Sequence, residues 1–383
     1  MENLFDKLFN KAIKPLPAGI YSYQSTAGVE SSYKWHLRLE EDGTGILVLN
    51  ASTVLHLNQT AAEYAYYTIL GKRPDEIARI ISARYDVNSN LAIRDYRKFV
   101  DKVETLTHTD DLDPVTYLEL DRVAPYSRML SAPYRLDCAL TYRLRANIHS
   151  KMVPPEHATR EMNTDEWKIV LDKAWEAGIP HVIFTGGEPT LRDDLPLLIS
   201  YTEKIGMVCG LLTDGLTFCD EEYLDCILKS GLDHIMLLAD EGEQRFWKAL
   251  KSLLAADIAV TVHATLAKDN RKSFPKLLEK IAREGASSIS LSIMDKSLSN
   301  ELGSAREKVA ALGLKLVWDL PVPYSFFNPI YMELQQSGNQ IPEGAGRAWL
   351  YVEPDGDVLP TQGVNHVLGN FLKDPFSKIW KRS

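Results

Sequence analysis

The stretch HVIFTGGEPTLRDDLPLLISY, residues 181–201, decides the fold of most of this 383-residue chain. The run HVIF predicts a short buried strand and DDLPLLISY predicts a helix, with TGGEP at residues 185–189 between them. Two glycines at a strand end let backbone groups approach a ligand closely, and Glu188 offers a carboxylate to an amine. A tight turn between strand and helix would explain one glycine but hardly the whole Gly-Gly-Glu-Pro run.

The same alternation of strand and helix extends on both sides of this stretch. From RLDCALTYR to LKLVWDL, runs rich in β-branched residues alternate with amphipathic helices. This pattern predicts βαβ units around a parallel sheet, and so an α/β fold with a partial or full (β/α) barrel. Functional groups should then lie at the carboxyl ends of the strands. After Pro342, AWLYVEPDGDVLP predicts a β-hairpin, and FSKIW predicts a last helix.

The front of the chain has a different pattern. The segment SYKWHLRLEEDGTGILVLNASTVLHL alternates apolar residues on both sides of a turn at Asp42-Gly43, and three amphipathic helices follow it. We therefore predict a small α+β domain, then a polar linker broken by Pro114 and Pro125. The predicted boundaries are residues 1–107 for the front domain, 108–132 for the linker, 133–323 for the barrel and 324–383 for a C-terminal extension.

The motifs at the strand ends resemble those of the radical S-adenosylmethionine family, whose GGEP motif holds the amino group of the methionine moiety. Thr213-Asp214-Gly215 ends the third strand, where that family often has a Thr-Asn-Gly turn. The run TLAKDN resembles the segment that the family places beside the nucleoside. The segments around residues 345–380 resemble the SPASM extension of peptide-modifying members. The cofactor-binding residues that the resemblance implies are Gly186, Gly187, Glu188, Pro189, Thr213, Asp214, Gly215 and Thr265.

The chain departs from that family at its cysteines. The family binds a catalytic [4Fe–4S] cluster through CxxxCxxC after the first strand, and the three matching positions here are Leu144, Ile148 and Lys151. In the extension, Glu343 and Thr361 stand where the family has cysteines. The four cysteines of the chain are scattered at Cys138, Cys209, Cys219 and Cys226. We therefore expect no [4Fe–4S] cluster, no metal site and no radical chemistry, assign no catalytic residue, and expect S-adenosylmethionine to bind weakly, if it still binds.

The front domain, over about residues 53–103, resembles the winged-helix domain that recognises precursor peptides in pyrroloquinoline quinone biosynthesis. That resemblance implies a leader peptide bound as an added strand beside the third helix, which carries Tyr96, Phe99 and Val103. The alternative is a DNA-binding winged helix. Acidic residues around the helices and a net charge of −9 argue against a nucleic-acid partner.

Three function classes remain open at this stage. The first is a degenerate family member that binds a peptide or a partner enzyme of a peptide-modification system. The second is an enzyme, either an active member of the family or a repurposed barrel that acts on a peptide or small molecule. The third is a structural or regulatory partner that works through the winged helix. No apolar run is long enough to cross a bilayer, no secretory signal is evident, and the few cysteines fit a reducing cytoplasm.

Some polar residues favour a structural interpretation. His263 lies in a predicted strand, where a hydrogen-bonded core histidine is the default and a role in the pocket is the alternative. Trp318-Asp319 follows a late strand, where packing is the default and a position lining the pocket is the alternative. The loop from residue 145 to 162 lacks the ligand spacing of a metal site and is predicted to be solvated. Its candidate ligands are His149, Glu156, His157 and Glu161.

Overall fold

The computed structural model describes most of the chain, in two compact units formed by residues 1–127 and 128–383. The described residues are 13–25, 33–50, 53–109, 112, 117, 130–145, 160–256, 258–318, 320–325, 328 and 342–381. Within these residues, no helix is both long enough and apolar enough to cross a membrane.

The first unit is a four-stranded antiparallel sheet, in the order β1-β2-β3-β4, followed by three helices. Its elements are β1 (Gly19–Gln24), β2 (Lys34–Leu39), β3 (Gly45–Leu49), β4 (Thr53–Leu57), α1 (Gln59–Ile69), α2 (Pro74–Tyr85) and α3 (Ser89–His108). The predicted turn joins β2 to β3: Asp42 Oδ1 accepts the Thr44 N–H at 2.9 Å, and Gly43 has φ +86°. Asn58 caps α1 by accepting the Ala61 N–H at 2.9 Å.

An ion pair with a buried carboxylate holds α1 to α2. Glu63 is 1 % exposed, and Arg84 donates to its two carboxylate oxygens, each at 2.7 Å. The Tyr85 hydroxyl donates a further bond at 3.0 Å, and Arg84 also donates to the Lys14 carbonyl at 2.8 Å. A buried carboxylate is tolerated only when it is paired and hydrogen-bonded in this way.

The apolar core of the first unit lies between the sheet and the helices, where Leu37, Leu47 and Val103 are buried together. Residues outside these strands and helices also contribute to this core. Leu16, which precedes β1, packs against it, and so do Leu112 and Tyr117 from the predicted linker.

The second unit is built on one ten-stranded sheet in the order β11-β10-β9-β8-β7-β6-β5-β12-β13-β14. Its first seven strands are β5 (Arg135–Thr141), β6 (His181–Gly186), β7 (Val208–Thr213), β8 (His234–Leu238), β9 (Ala259–Leu266), β10 (Ser288–Ile293) and β11 (Lys315–Leu316). Its first six helices are α4 (Thr164–Glu176), α5 (Leu195–Ile205), α6 (Glu221–Lys229), α7 (Gln244–Leu254), α8 (Phe274–Arg283) and α9 (Ser299–Ala311). These strands pair in parallel, as the sequence predicts, and the sheet forms a partial barrel.

The C-terminal extension continues the same sheet, which sequence reasoning did not predict. Its elements are β12 (Trp349–Val352), β13 (Asp357–Leu359), β14 (Gly369–Asn370) and α10 (Phe376–Ile379). The strand β12 pairs in parallel with β5, and β13 and β14 add antiparallel strands beyond it. The predicted hairpin is confirmed as β12 and β13. Because β12 pairs with β5 on one side and β6 pairs with it on the other, β5 lies inside the sheet.

Local signals fix the helices around this sheet. Asn163 and Glu166 form the predicted capping box at the start of α4, with each side chain accepting the other's backbone N–H at 3.0 Å.

One face of the sheet carries a buried apolar cluster. Its members, Ile183, Leu212 and Met236, come from three neighbouring strands. Leu320 packs against that cluster, so the chain after β11 passes over this face of the sheet.

Candidate functional site

The two glycines of TGGEP bring the end of β6 against the end of β5. Gly186 has φ +116°, and a Cβ at this position would lie 2.4 Å from the Thr141 carbonyl oxygen. A Cβ on Gly187 would lie 2.4 Å from the Arg143 carbonyl oxygen. The same carbonyls accept the Gly187 N–H at 2.8 Å and the Glu188 N–H at 2.9 Å. Packing against β5 therefore requires both glycines without any ligand, which sequence reasoning considered unlikely.

Glu188 is the centre of a polar cluster that also contains Thr190, Thr213 and Asp214, and we call it the Glu188 cluster. Glu188 itself is 2 % exposed. Its Oε1 accepts bonds from Thr190 N at 2.9 Å, from Thr190 Oγ1 at 2.6 Å and from Thr213 Oγ1 at 2.7 Å. Its Oε2 accepts the Asp214 N–H at 2.7 Å. The structure thus brings the two predicted motifs, GGEP and Thr-Asp-Gly, together through one carboxylate.

Burial is the main influence on the titration of this carboxyl group. Burial, and after it the nearby Asp214 carboxylate, raise the pKa of Glu188 to about 8, although the hydrogen bonds that the carboxyl group accepts act in the opposite direction. Pro189 begins a short 3-10 helix, Pro189–Leu191, in which the Thr190 N–H donates to the Glu188 side chain. Gly215 has φ +72°, and a Cβ there would lie 1.9 Å from Leu237 Cδ1, so this turn also requires glycine.

Arg145 joins the Glu188 cluster from the segment that follows β5. It contacts Asp214 through both carboxylate oxygens, with Nε to Oδ2 at 2.7 Å and Nη2 to Oδ1 at 3.2 Å. Its Nη2 also donates to Thr190 Oγ1 at 3.0 Å and to Thr217 Oγ1 at 2.5 Å. Sequence reasoning missed Arg145. The signal that could have found it is its position just after a sheet strand, at the same edge as Glu188 and Asp214.

Thr265 belongs to a second polar cluster, on β9 and β10. Its Oγ1 lies 2.9 Å from Ser292 Oγ and 3.3 Å from His263 Nε2. His263 contacts Ser290 through Nδ1 at 3.1 Å and Ser292 through Nε2 at 3.0 Å. Burial lowers the pKa of His263 to about 4, so the ring is neutral at physiological pH. This hydrogen-bonded core histidine is the default that the sequence predicted.

Two further predictions concern Trp318-Asp319 and the candidate metal ligands of the loop from residue 145 to 162. Trp318 is 54 % exposed, and Arg306 lies 4.7 Å from its ring centroid, so it does not line a buried pocket. Asp319 lies outside the described residues, as do His149, Glu156 and His157. Glu161 is described, and it accepts a hydrogen bond from Thr141 Oγ1. Within the described part of the chain, no three His, Cys, Asp or Glu side chains are grouped as metal ligands.

The four cysteines do not fit a catalytic iron–sulfur cluster at the mouth of the partial barrel, the carboxyl edge of the sheet where the Glu188 cluster lies. Cys138 and Cys209 are fully buried within β5 and β7, and burial raises the pKa of the Cys138 thiol. Cys219 lies in the turn after β7, with Sγ 3.2 Å from the Arg245 carbonyl oxygen, and Cys226 is exposed on α6. No cysteine occurs between residues 139 and 208, the stretch that contains the segment after β5. A [4Fe–4S] cluster needs several thiolates together, which this set does not provide.

The positions that the resemblance assigns to cluster cysteines are occupied by other residue types. Leu144 is half-buried, and Ile148 and Lys151 lie outside the described residues. In the extension, Glu343 is exposed, and Thr361 Oγ1 accepts a hydrogen bond from Trp349 Nε1 at 3.1 Å. Carboxylate, hydroxyl and alkyl groups are not the thiolates that hold such clusters. These positions therefore do not fit the group that the resemblance implies.

Comparisons with known proteins find similarity to the radical SAM superfamily and to enzymes named PqqA peptide cyclases. The sequence model of the radical SAM superfamily matches residues 138–258. The chain is 27% identical over 281 residues to a PqqA peptide cyclase from Granulibacter bethesdensis, which covers 66% of this chain and 73% of the relative. It is 26% identical over 291 residues to the PqqA peptide cyclase of Streptomyces rochei, which covers 66% of this chain and 77% of that one.

Solved structures agree with the fold. SuiB from Streptococcus suis, bound to the precursor peptide SuiA, superposes with a TM-score of 0.58 at 15% identity, covering 90% of this chain and 86% of SuiB. SuiB bound to S-adenosylmethionine gives a TM-score of 0.57 at 16% identity, covering 94% and 88%. The second unit therefore has the radical SAM fold, and the chain is related in sequence to peptide-modifying enzymes.

Proposed function

We propose that this protein binds a precursor peptide within a peptide-modification system and does so without radical chemistry. The observation that carries the second half of the proposal is the placement of the four cysteines. Two are buried inside strands, two lie on α6 and the turn before it, and the segment after β5 contains none. The protein then acts through binding, either of the peptide itself or of a partner enzyme that modifies it.

The peptide half of the proposal rests on the front domain. Its sheet ends in the strands β1 and β4, and binding by β-augmentation would pair the peptide with one of these two strands. The relatives are named as cyclases of the PqqA peptide, and SuiB binds its precursor peptide SuiA. We extend peptide binding from those proteins to this one. A nucleic-acid partner is disfavoured because the chain carries a net charge of −9.

Hydrogen–deuterium exchange on the full chain tests peptide binding. Short peptides encoded beside the gene are added, with scrambled versions of the same composition as the control. We expect slower exchange in β1 or β4 and in α3, because an added strand would pair with an edge and contact the neighbouring helix. Slower exchange with duplex DNA and with none of the peptides would contradict this proposal and indicate a regulatory protein.

The second candidate is an active radical enzyme, and the names of the relatives favour it. The PqqA peptide cyclases are enzymes by name, and their similarity to this chain extends over 66% of its length. Iron and sulfide analysis after anaerobic reconstitution separates the two candidates. We expect no bound cluster. A content of about four irons and four sulfides per chain would reverse the proposal, because it would require ligands other than the expected cysteines.

We also propose that the mouth formed by the Glu188 cluster retains a weak site for S-adenosylmethionine. The cluster supplies the Asp214 carboxylate and the buried Glu188 carboxyl group at the carboxyl end of the sheet, and their oxygens would accept hydrogen bonds from a ligand that carries an ammonium group. Weak affinity is expected because the chain lacks the cysteines for an iron that would chelate the methionine moiety. Isothermal titration of the purified protein with S-adenosylmethionine measures this site directly.

A further inference from the structure

The Glu188 cluster contains more acidic than basic groups. Glu188 and Asp214 are linked because the Asp214 N–H donates to Glu188 Oε2 at 2.7 Å. Arg145 contacts Asp214, with which its guanidinium forms a two-pronged ion pair. Arg145 and Asp214 have side chains that are each 27% exposed, so this pair lies where the cluster meets solvent. Glu188 lies deeper, at 2 % exposed.

The hydrogen bonds of Arg145 are those that an external cation would make here. Its Nη2 donates to two hydroxyl oxygens, Thr190 Oγ1 and Thr217 Oγ1, in addition to the carboxylate of Asp214. The Thr190 hydroxyl in turn donates to Glu188 Oε1 at 2.6 Å. The guanidinium is thus bonded directly to the Asp214 carboxylate and is linked to Glu188 through the Thr190 hydroxyl.

Arg145 is placed there by a short piece of backbone. It stands four residues after the end of β5, and the neighbouring Arg143 carbonyl accepts the Glu188 N–H at 2.9 Å. That bond fixes the backbone two residues before Arg145, while the arginine side chain has several rotatable bonds. The guanidinium can therefore leave Asp214 by rotation of its side chain, with no change in the strand that carries it.

We propose that Arg145 is a built-in occupant of a cation site at the Glu188 cluster, and that a ligand with an ammonium group binds only when Arg145 moves out. The proposal deepens the S-adenosylmethionine site proposed above and rests on it for the identity of the ligand. It makes weak affinity a property of the chain itself, because the ligand must break an existing charge-assisted ion pair before it can bind.

The first test is calorimetric titration of S-adenosylmethionine into the full-length protein and into Arg145→Gln. We expect affinity to rise roughly tenfold or more in the variant, since one charge-assisted pair no longer competes. The matched control is Arg143→Gln, which removes the same charge two residues away. Arg143 is 53% exposed on its side chain, and its Nε bonds Thr141 Oγ1 at 3.1 Å. We expect this control to bind like the wild type.

The second test needs no nucleoside. Removal of the guanidinium in Arg145→Ala leaves a space that a free methylguanidinium ion can fill. We expect millimolar methylguanidinium chloride to raise the melting temperature of Arg145→Ala above that seen with equal sodium chloride. The wild type, whose site is filled, should show no such rise.

The two tests separate this inference from the proposed ligand. Rescue by methylguanidinium with no binding of S-adenosylmethionine to any variant would support the cation site and refute the proposed ligand. Weaker binding of S-adenosylmethionine to Arg145→Gln would overturn the inference, because Arg145 would then contact the ligand directly. The absence of both rescue and tighter binding would overturn it as well.

Discussion

Replacing Gly187 by alanine distinguishes a glycine required for packing from a glycine required for a ligand. The added Cβ would lie 2.4 Å from the Arg143 carbonyl oxygen, 3.0 Å from the Tyr142 carbonyl carbon and 3.1 Å from that of Arg143. These neighbours are backbone atoms that cannot rotate away. An ordinary contact needs about 3.5 Å, so β5 and β6 must separate by roughly 1 Å.

The cost follows from the contacts that such a separation weakens. The Gly187 N–H bond to Thr141 and the Glu188 N–H bond to Arg143 would both lengthen from 2.8 and 2.9 Å. Each is worth about 1 kcal/mol, and overpacking a fixed site adds about 1–3 kcal/mol. We expect Gly187→Ala to lower the free energy of unfolding by about 3 kcal/mol, and the melting temperature by about 6–12 °C for a unit of this size.

Thermal unfolding followed by circular dichroism, with no ligand present, measures this effect. The matched control is Gly303→Ala, because Gly303 is exposed in α9 and a Cβ there meets nothing within 4 Å. That change should stabilise the protein by about 1 kcal/mol through helix propensity. A wild-type melting temperature for Gly187→Ala would refute the packing explanation, and loss of S-adenosylmethionine binding at that unchanged temperature would assign the glycine to the ligand.

Three further predictions concern buried ionisable groups. The pKa of Glu188 is raised to about 8, so between about pH 4.5 and 8 the folded protein holds a proton that the unfolded chain has lost. The free energy of unfolding should therefore fall as the pH rises through this range. Glu188→Gln should flatten that slope when urea unfolding is measured as a function of pH. The pKa of His263 is lowered to about 4, so the neutral ring should stabilise the folded protein above about pH 6.5, and this stabilisation should be lost as the pH falls toward 4. His263→Asn should remove this pH dependence of the unfolding free energy. An imidazole that titrates near pH 6.5 by NMR would contradict the prediction. Glu63→Ala leaves Arg84 without its carboxylate and should cost the first unit about 2–4 kcal/mol in urea unfolding, whereas an unchanged midpoint would show that the pair contributes nothing net.

The sequence predicts the architecture well because its signals are local and repeated. Apolar runs alternate with amphipathic helices from β5 to β11, and this pattern alone predicts a parallel sheet with helices around it. The turn at Asp42-Gly43 and the capping box at Asn163 are equally local, and both predictions are confirmed. The parallel pairing of β12 with β5 joins segments more than 200 residues apart, and no local pattern specifies which sheet edge a hairpin will extend.

The candidate site was predicted only in part, for a similar reason. The GGEP and Thr-Asp-Gly motifs were identified, and Glu188 joins them. The binding roles assigned to those residues and to Thr265 stay predictions, since their contacts in the structure are with other residues of the chain. Arg145 was missed because its residue type does not distinguish it from other polar loop residues; its position just after β5 was the one signal that indicated the sheet edge where it contacts Asp214.

The two halves of the family signature therefore carry different weight for function. The glycines of TGGEP are required by the approach of β6 to the Thr141 and Arg143 carbonyls, and this requirement holds whatever the mouth binds. Their presence is then evidence for the fold and weaker evidence for the ligand. Cluster cysteines have the opposite character, because a thiolate in a loop contributes to metal binding and little to packing. The residue types that stand in place of the cysteines, Leu144, Ile148 and Lys151 in the sequence, are thus the more informative half of the signature, and the proposal of binding without radical chemistry rests on them.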